Sequence, residues 1–223
     1  RNIVQCLNDF DIPLYLNHTI TKIEGKERVT GVVVSEVDEN KRPIAGTEMH
    51  FDCDTVLFSV GLIPENELTK EAGIALSPRT RGAVVYQNRE TEVSGVFACG
   101  NVLQVHDLVD FVSEESELAG RSAAKYVSEG ETAHRAVETV AGQNVSYVLP
   151  QKIDRNIGGD VKLFLRVTNT FQNCTIRAMC GDQVLAERKK RIAVPGEMET
   201  LILREAAIKG ASGEITVCLE VNA

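Results

Sequence analysis

The chain has 223 residues, carries 24 Lys and Arg against 32 Asp and Glu for a net charge of −8, and is 43% hydrophobic. That length suits one large domain or two ordinary ones, since a single core stops growing at roughly 250 residues, and the composition is that of a globular protein. No apolar run approaches the ~20 residues needed to cross a bilayer, and the acidic balance argues against a nucleic-acid partner.

The sequence opens on Arg1 and its first eleven residues lack the basic start and apolar core of a signal peptide. Position 1 is therefore expected to be internal to a longer, cytoplasmic parent. Six cysteines (Cys6, Cys53, Cys99, Cys174, Cys180 and Cys218) include no CxxC pair. Packed free thiols in a reducing compartment explain them better than a disulfide framework or a zinc site. Residues 1–144 hold 13 basic against 23 acidic residues and residues 145–223 hold 11 against 9, which predicts a domain boundary near 140.

Ile3, Val4, Leu7 and Phe10 recur at helical spacing before Pro13, predicting the last turns of an amphipathic helix. Short β-rich runs follow at 13–16, 19–23, 29–37 and 47–51. Residues 55–60 are almost wholly apolar, as in a strand covered on both faces. Residues 65–73 predict a short helix stopped by Gly73. Val93–Ala98 reads as a strand ending in the sharp turn Cys99-Gly100-Asn101. A helix is predicted over 113–128, with Ser113 as a capping hydroxyl and Glu114, Glu115 and Glu117 in its first turn.

Residues 131–144 are polar and predict a linker. Beyond it, Val161, Leu163, Leu165 and Val167, then Ile176, Ala178 and Cys180, Leu201 and Leu203, and Ile215 to Val221 repeat a period of two. Turns at Cys180-Gly-Asp182 and Pro195-Gly196 separate them, predicting an immunoglobulin-like β-sandwich over 145–223, with one short helix near 204–209. The basic run Arg188-Lys-Lys-Arg191 reads as protection of a strand edge rather than a docking patch.

Three segments carry chemistry. Thr91-Glu-Val-Ser-Gly-Val-Phe-Ala-Cys-Gly-Asn101 resembles the second FAD-binding motif of the pyridine nucleotide-disulfide oxidoreductases, the two-dinucleotide-domain flavoproteins that include thioredoxin reductase and glutathione reductase. Asp54-Thr-Val-Leu-Phe-Ser-Val-Gly61 with Pro64 and Asn66 resembles the crossing from their NAD(P) domain back to the FAD domain. Residues 12–51 resemble the β-meander that closes the NAD(P) domain. The resemblance covers about residues 1–128 and divides the chain into the end of an NAD(P)-binding domain (1–53), the end of an FAD-binding domain (54–130), the linker and the sandwich. The implied fold class is a partial α/β Rossmann-like fold followed by an all-β sandwich.

In that family the turn residue after the glycine binds the ribityl chain, a role the resemblance gives to Asn101, where the family has Asp. Gly100 would let the cofactor lie against the backbone, and Val112, Ser113 and Glu114 would present helix N-terminal N–H groups to the flavin. Neither G-x-G-x-x-G fingerprint occurs in residues 1–223. The resemblance thus implies a parent that moves a hydride between NAD(P)H, FAD and a redox acceptor or small organic substrate. The chain by itself is expected to be inactive and to retain neither cofactor. The alternative is a non-catalytic module whose sandwich docks a protein partner or forms a homo-oligomer. Cys99 is expected to be a packed thiol. His106 beside Asp107 reads as a loop histidine rather than an acid–base pair, and His18, His50 and His134 as surface residues without metal-ligand spacing.

Overall fold

A computed structural model describes residues 3–130, 134–156 and 158–222. The chain divides into two compact units, one ending at Gly61 and one running from Leu62 onward.

In the first unit, residues 3–10 form two irregular helical turns. Strands β1 (His18–Glu24), β2 (Gly31–Glu36) and β3 (Met49–Asp52) then make an antiparallel meander in the order β1-β2-β3. Ile23 lies opposite Val32, and Val32 opposite Phe51, so β-branched and aromatic residues line up across the sheet. The β-meander expected there is present, but residues 13–16 are not strand.

Residues 55–60 also depart from expectation. They have no strand pairing, and Leu57 is 91% exposed. An apolar run becomes a buried strand only when strands on both sides supply hydrogen bonds and cover, and no described residue does so here.

The second unit starts with α1 (Glu67–Glu71), which ends before Gly73. A looped segment follows, stitched by isolated bridges between Leu76 and Ala83, Val85 and Thr91, and Glu90 and Phe97. The expected strand Val93–Ala98 is part of this loop: Thr91 N–H bonds Val96 O and Ala98 N–H bonds Arg89 O, so its backbone pairs locally instead of entering a sheet. Next comes α2 (Val109–Glu129).

The expected linker over 131–144 contains strand β4 (Ala136–Ala141), already part of the sandwich. It is followed by β5 (Val145–Leu149), β6 (Lys152–Asp154), β7 (Val161–Val167), β8 (Phe171–Cys180), β9 (Gln183–Ala193), β10 (Glu199–Leu203), α3 (Glu205–Gly210) and β11 (Ile215–Val221). These strands form two sheets, β10-β7-β5 and β6-β4-β11-β8-β9. Most pairs are antiparallel, whereas β4 runs parallel to β11. Leu163, Leu165 and Leu201 from one sheet join Val137, Ile176 and Val217 from the other in a single apolar core, the packing of a sandwich.

A second core, built from Ile74, Ala83, Val85, Leu103, Leu149 and Phe164, joins the loop segment to the sandwich. The stretch expected to end a separate FAD-binding domain is therefore packed in one unit with the sandwich.

Among the described residues every cysteine is a free thiol, but only Cys174 is buried and Cys6 is exposed. Arg188 and Lys190 are not simply solvated: Arg188 bonds Thr200 O at 3.0 Å and Lys190 pairs with buried Glu199 at 2.9 Å, tying edge strand β9 to β10. No described helix is long and apolar enough to cross a membrane.

Candidate functional site

The flavin-like motif ends in a single tight turn. Cys99 is extended, Gly100 follows at φ +72°, and Gly100–Val102 makes one helical turn closed by Leu103 N–H to Gly100 O at 2.9 Å. A side chain at Gly100 would be strained at that φ. Leu103 is fully buried in the second core and anchors the turn from behind. Buried Asn66, in the segment that resembles the interdomain crossing, donates to Val102 O at 2.7 Å and Arg81 O at 2.9 Å. Asn101 itself is exposed. Its Oδ1 accepts the His106 N–H at 3.2 Å, while its Nδ2 makes no bond among the described residues.

The helix after the turn begins earlier than expected. Leu108 is the extended N-cap and α2 starts at Val109. The N–H groups left unpaired at a helix start are those of the cap and the first three residues, so Val112, Ser113 and Glu114 lie past the open end. Ser113 caps nothing. Val112 instead backs onto the glycine turn, 3.5 Å from where a Cβ on Gly100 would lie, and Glu114 is paired with Lys162 at 2.7 Å. The end that is open carries Leu108 and Val109, the latter 74% exposed.

Turn, loop and helix converge on one buried acid that sequence reasoning placed in a first turn. The Glu115 side chain is wholly inaccessible, and its two oxygens accept four hydrogen bonds. Oε1 takes Arg89 Nε at 3.0 Å and Gln104 Nε2 at 3.3 Å. Oε2 takes the Gly100 N–H at 2.9 Å and His106 Nε2 at 2.9 Å. Burial alone would raise the Glu115 pKa, but the His106 bond, the Arg89 charge and the Gly100 N–H outweigh it and hold the carboxyl below its ordinary value. Arg89 sits at φ +69° with its guanidinium 5.7 Å from the centre of the Phe164 ring.

His106 is thus a buried member of a structural network. Its neighbour Asp107 points elsewhere, bonding Arg166 of β7 and accepting the Met198 N–H at 2.6 Å. Arg166 also donates to Val105 O at 3.1 Å. The two residues make no acid–base pair. Lys162 of β7 holds the other flank, 5.4 Å from the centre of the Phe111 ring and 5.1 Å from that of Phe164.

His134, expected at the surface, is largely enclosed between Asp154 at 3.1 Å and Glu90 at 3.2 Å and stacked on Tyr86. His50 pairs with Glu24 at 2.9 Å and His18 Nδ1 donates to Leu16 O in its own loop at 2.7 Å. Cys99 is half-buried. No described group of His, Cys, Asp and Glu is arranged to hold a metal ion.

A flavin can be tested against these groups. A positive-φ glycine, an exposed amide with a free donor, and an open helix end fit the ribityl and ring portion of FAD. The glycine-rich cradle for the pyrophosphate is not in the sequence. The region 2–140 matches the family model described as pyridine nucleotide-disulphide oxidoreductase, a match covering well over half of the residues. The α/β region and the β-rich remainder agree with the fold class read from the motifs, and the chain belongs to the pyridine nucleotide-disulphide oxidoreductase family.

Proposed function

We propose that this chain is the C-terminal portion of an FAD-dependent NAD(P) oxidoreductase in which the Gly100–Asn101 turn and the start of α2 hold the flavin end of FAD. The observation that carries this reading is the junction itself: an open helix end and a positive-φ glycine turn, locked together by Glu115. FAD, when bound, would supply hydride transfer between NAD(P)H and a redox acceptor or small organic substrate.

The chain's own residues would bind and orient. Gly100 would give the cofactor a side-chain-free surface, and Asn101 Nδ2 would donate to a ribityl hydroxyl. Backbone N–H groups at Leu108 to Asp110 would favour negative charge on the flavin ring, a role moved here from Val112, Ser113 and Glu114; the Phe111 N–H is already bonded to Leu108 O at 3.2 Å. Because Asp110 lies in that first turn, it would moderate the local positive potential. The sandwich, through Phe164, Lys162 and Arg166, would act as the buttress of this site rather than as an independent docking module. A reducing, cytoplasmic location suits the free thiols.

The chain on its own would hold FAD too weakly to purify with it, since its sequence has no G-x-G-x-x-G fingerprint for the pyrophosphate. The visible spectrum of the purified 223-residue protein tests this. We expect a colourless preparation that stays folded, and a full-length parent with stoichiometric flavin bands. Bound FAD in the short chain would overturn the first expectation, and a flavin-free parent would overturn the proposal.

A further inference from the structure

Asn101 is exposed, yet its amide is not free to turn. Its Oδ1 accepts the His106 N–H at 3.2 Å, and only the oxygen of an amide can accept. Nδ2, with its two donors, is therefore the group left to meet a ligand.

The N–H that sets this orientation belongs to a peptide plane held at its other edge. The carbonyl oxygen of the Val105–His106 peptide accepts Arg166 Nη2 at 3.1 Å. A trans peptide is planar, with C=O and N–H pointing opposite ways, so fixing the oxygen aims the hydrogen at Asn101. The guanidinium is fixed in turn. Nη2 also bonds the Asp107 carboxylate, Nη1 bonds Pro195 O at 3.2 Å, and the side chain is largely buried. On the other side, the buried His106 ring bonds Glu115 Oε2 at 2.9 Å, the same oxygen that takes the Gly100 N–H. One arginine of β7 thus reaches the Asn101 amide through a single peptide unit.

We propose that Arg166 is a positioning residue: through the Val105–His106 peptide it locks the Asn101 amide with Nδ2 outward, so that this side chain selects a ligand atom that accepts. The identity of that atom, a ribityl hydroxyl oxygen, rests on the flavin reading above; the locked amide does not.

Two measurements test the two parts separately. Nitrogen-15 relaxation in the 223-residue protein reads the mobility of the Asn101 Nδ2 group, assigned by its loss in Asn101→Leu. An order parameter above about 0.6 is expected in the native chain, falling below that value in Arg166→Met. If the methionine variant does not fold, Arg166→Gln, whose amide ends well short of the guanidinium nitrogens, carries the comparison. Arg177→Met on β8, where the arginine pairs with Glu187 and Glu220, should leave the order parameter unchanged. A mobile amide in the native chain, or one equally ordered without Arg166, overturns the proposal whatever becomes of the flavin.

The second measurement is the FAD affinity of the full-length parent. An unlocked side chain must be immobilised when the ligand binds, so Arg166→Met should weaken FAD binding about two- to tenfold. In an Asn101→Leu background the same change should have almost no effect, because the group it acts on is gone. Equal weakening in both backgrounds overturns the proposal, since Arg166 would then act by another route.

Discussion

The Glu115 carboxylate, nearly two turns inside α2, accepts the backbone N–H of Gly100 at 2.9 Å. This bond joins the helix to the turn that precedes it by a loop of six residues between Val102 and Val109. Glu115→Gln should therefore be costly. A carboxylate serves four donors with two oxygens, whereas an amide has one acceptor oxygen and adds donors of its own. Breaking a buried ionic network in this way costs about 3–5 kcal/mol. Urea denaturation measures it, and a loss under about 1 kcal/mol would show that the network does not hold the junction.

The same acid sets a pH dependence. Its folded pKa lies below the ordinary 4.5, so its contribution is fully present above pH 4.5 and is lost as pH falls through the folded value. Stability of the native chain should drop more steeply than that of Glu115→Gln as the pH is lowered below 4.5. Parallel acid limbs in the two proteins would contradict the assignment.

Gly100→Ala separates backbone strain from crowding. The added Cβ would meet Val112 at an ordinary 3.5 Å, so the cost comes from φ +72°, about 1–2 kcal/mol for a residue with a side chain. Thermal unfolding should register a lower midpoint. An unchanged midpoint would mean that the turn relaxes freely.

Arg166 and Lys162 both reach from β7 toward the motif but should differ in weight. Arg166 is partly buried and bonds Asp107 and two carbonyls, so Arg166→Met should cost about 1.5–3 kcal/mol and raise amide exchange at 105–107. The more exposed Lys162–Glu114 pair should show a coupling of about 0.2–1 kcal/mol in a double-mutant cycle. Equal values would remove the sandwich's distinct role in holding the His106–Asp107 loop.

Elements stabilised by local periodicity were legible in the sequence: the meander of β1 to β3, the stop at Gly73, and the alternating β7, β8, β10 and β11. Segments 55–60 and 93–98 were not, because a strand exists only with neighbours to bond it, and propensity does not say where those are. The start of α2 was misplaced because Ser113 followed by three acids imitates a cap. Yet Phe111, Val112, Glu115 and Ala119 share one helical stripe. An acid on an apolar stripe requires buried partners, and that signal pointed to Glu115. Its partners Arg89, Gln104 and His106 lie outside the helix and carry no local mark. Linker composition likewise concealed β4, whose bonds come from β6 and β11.

The central claim, that the Gly100–Asn101 turn holds a flavin, is tested most directly by the FAD affinity of the full-length parent with and without Asn101→Leu. Leucine keeps the branched heavy-atom shape and removes the Nδ2 donor, together with the Oδ1 that accepts the His106 N–H. The account predicts about tenfold weaker FAD binding in the variant, read from flavin released per chain on dilution. Equal FAD retention by the two proteins would contradict it.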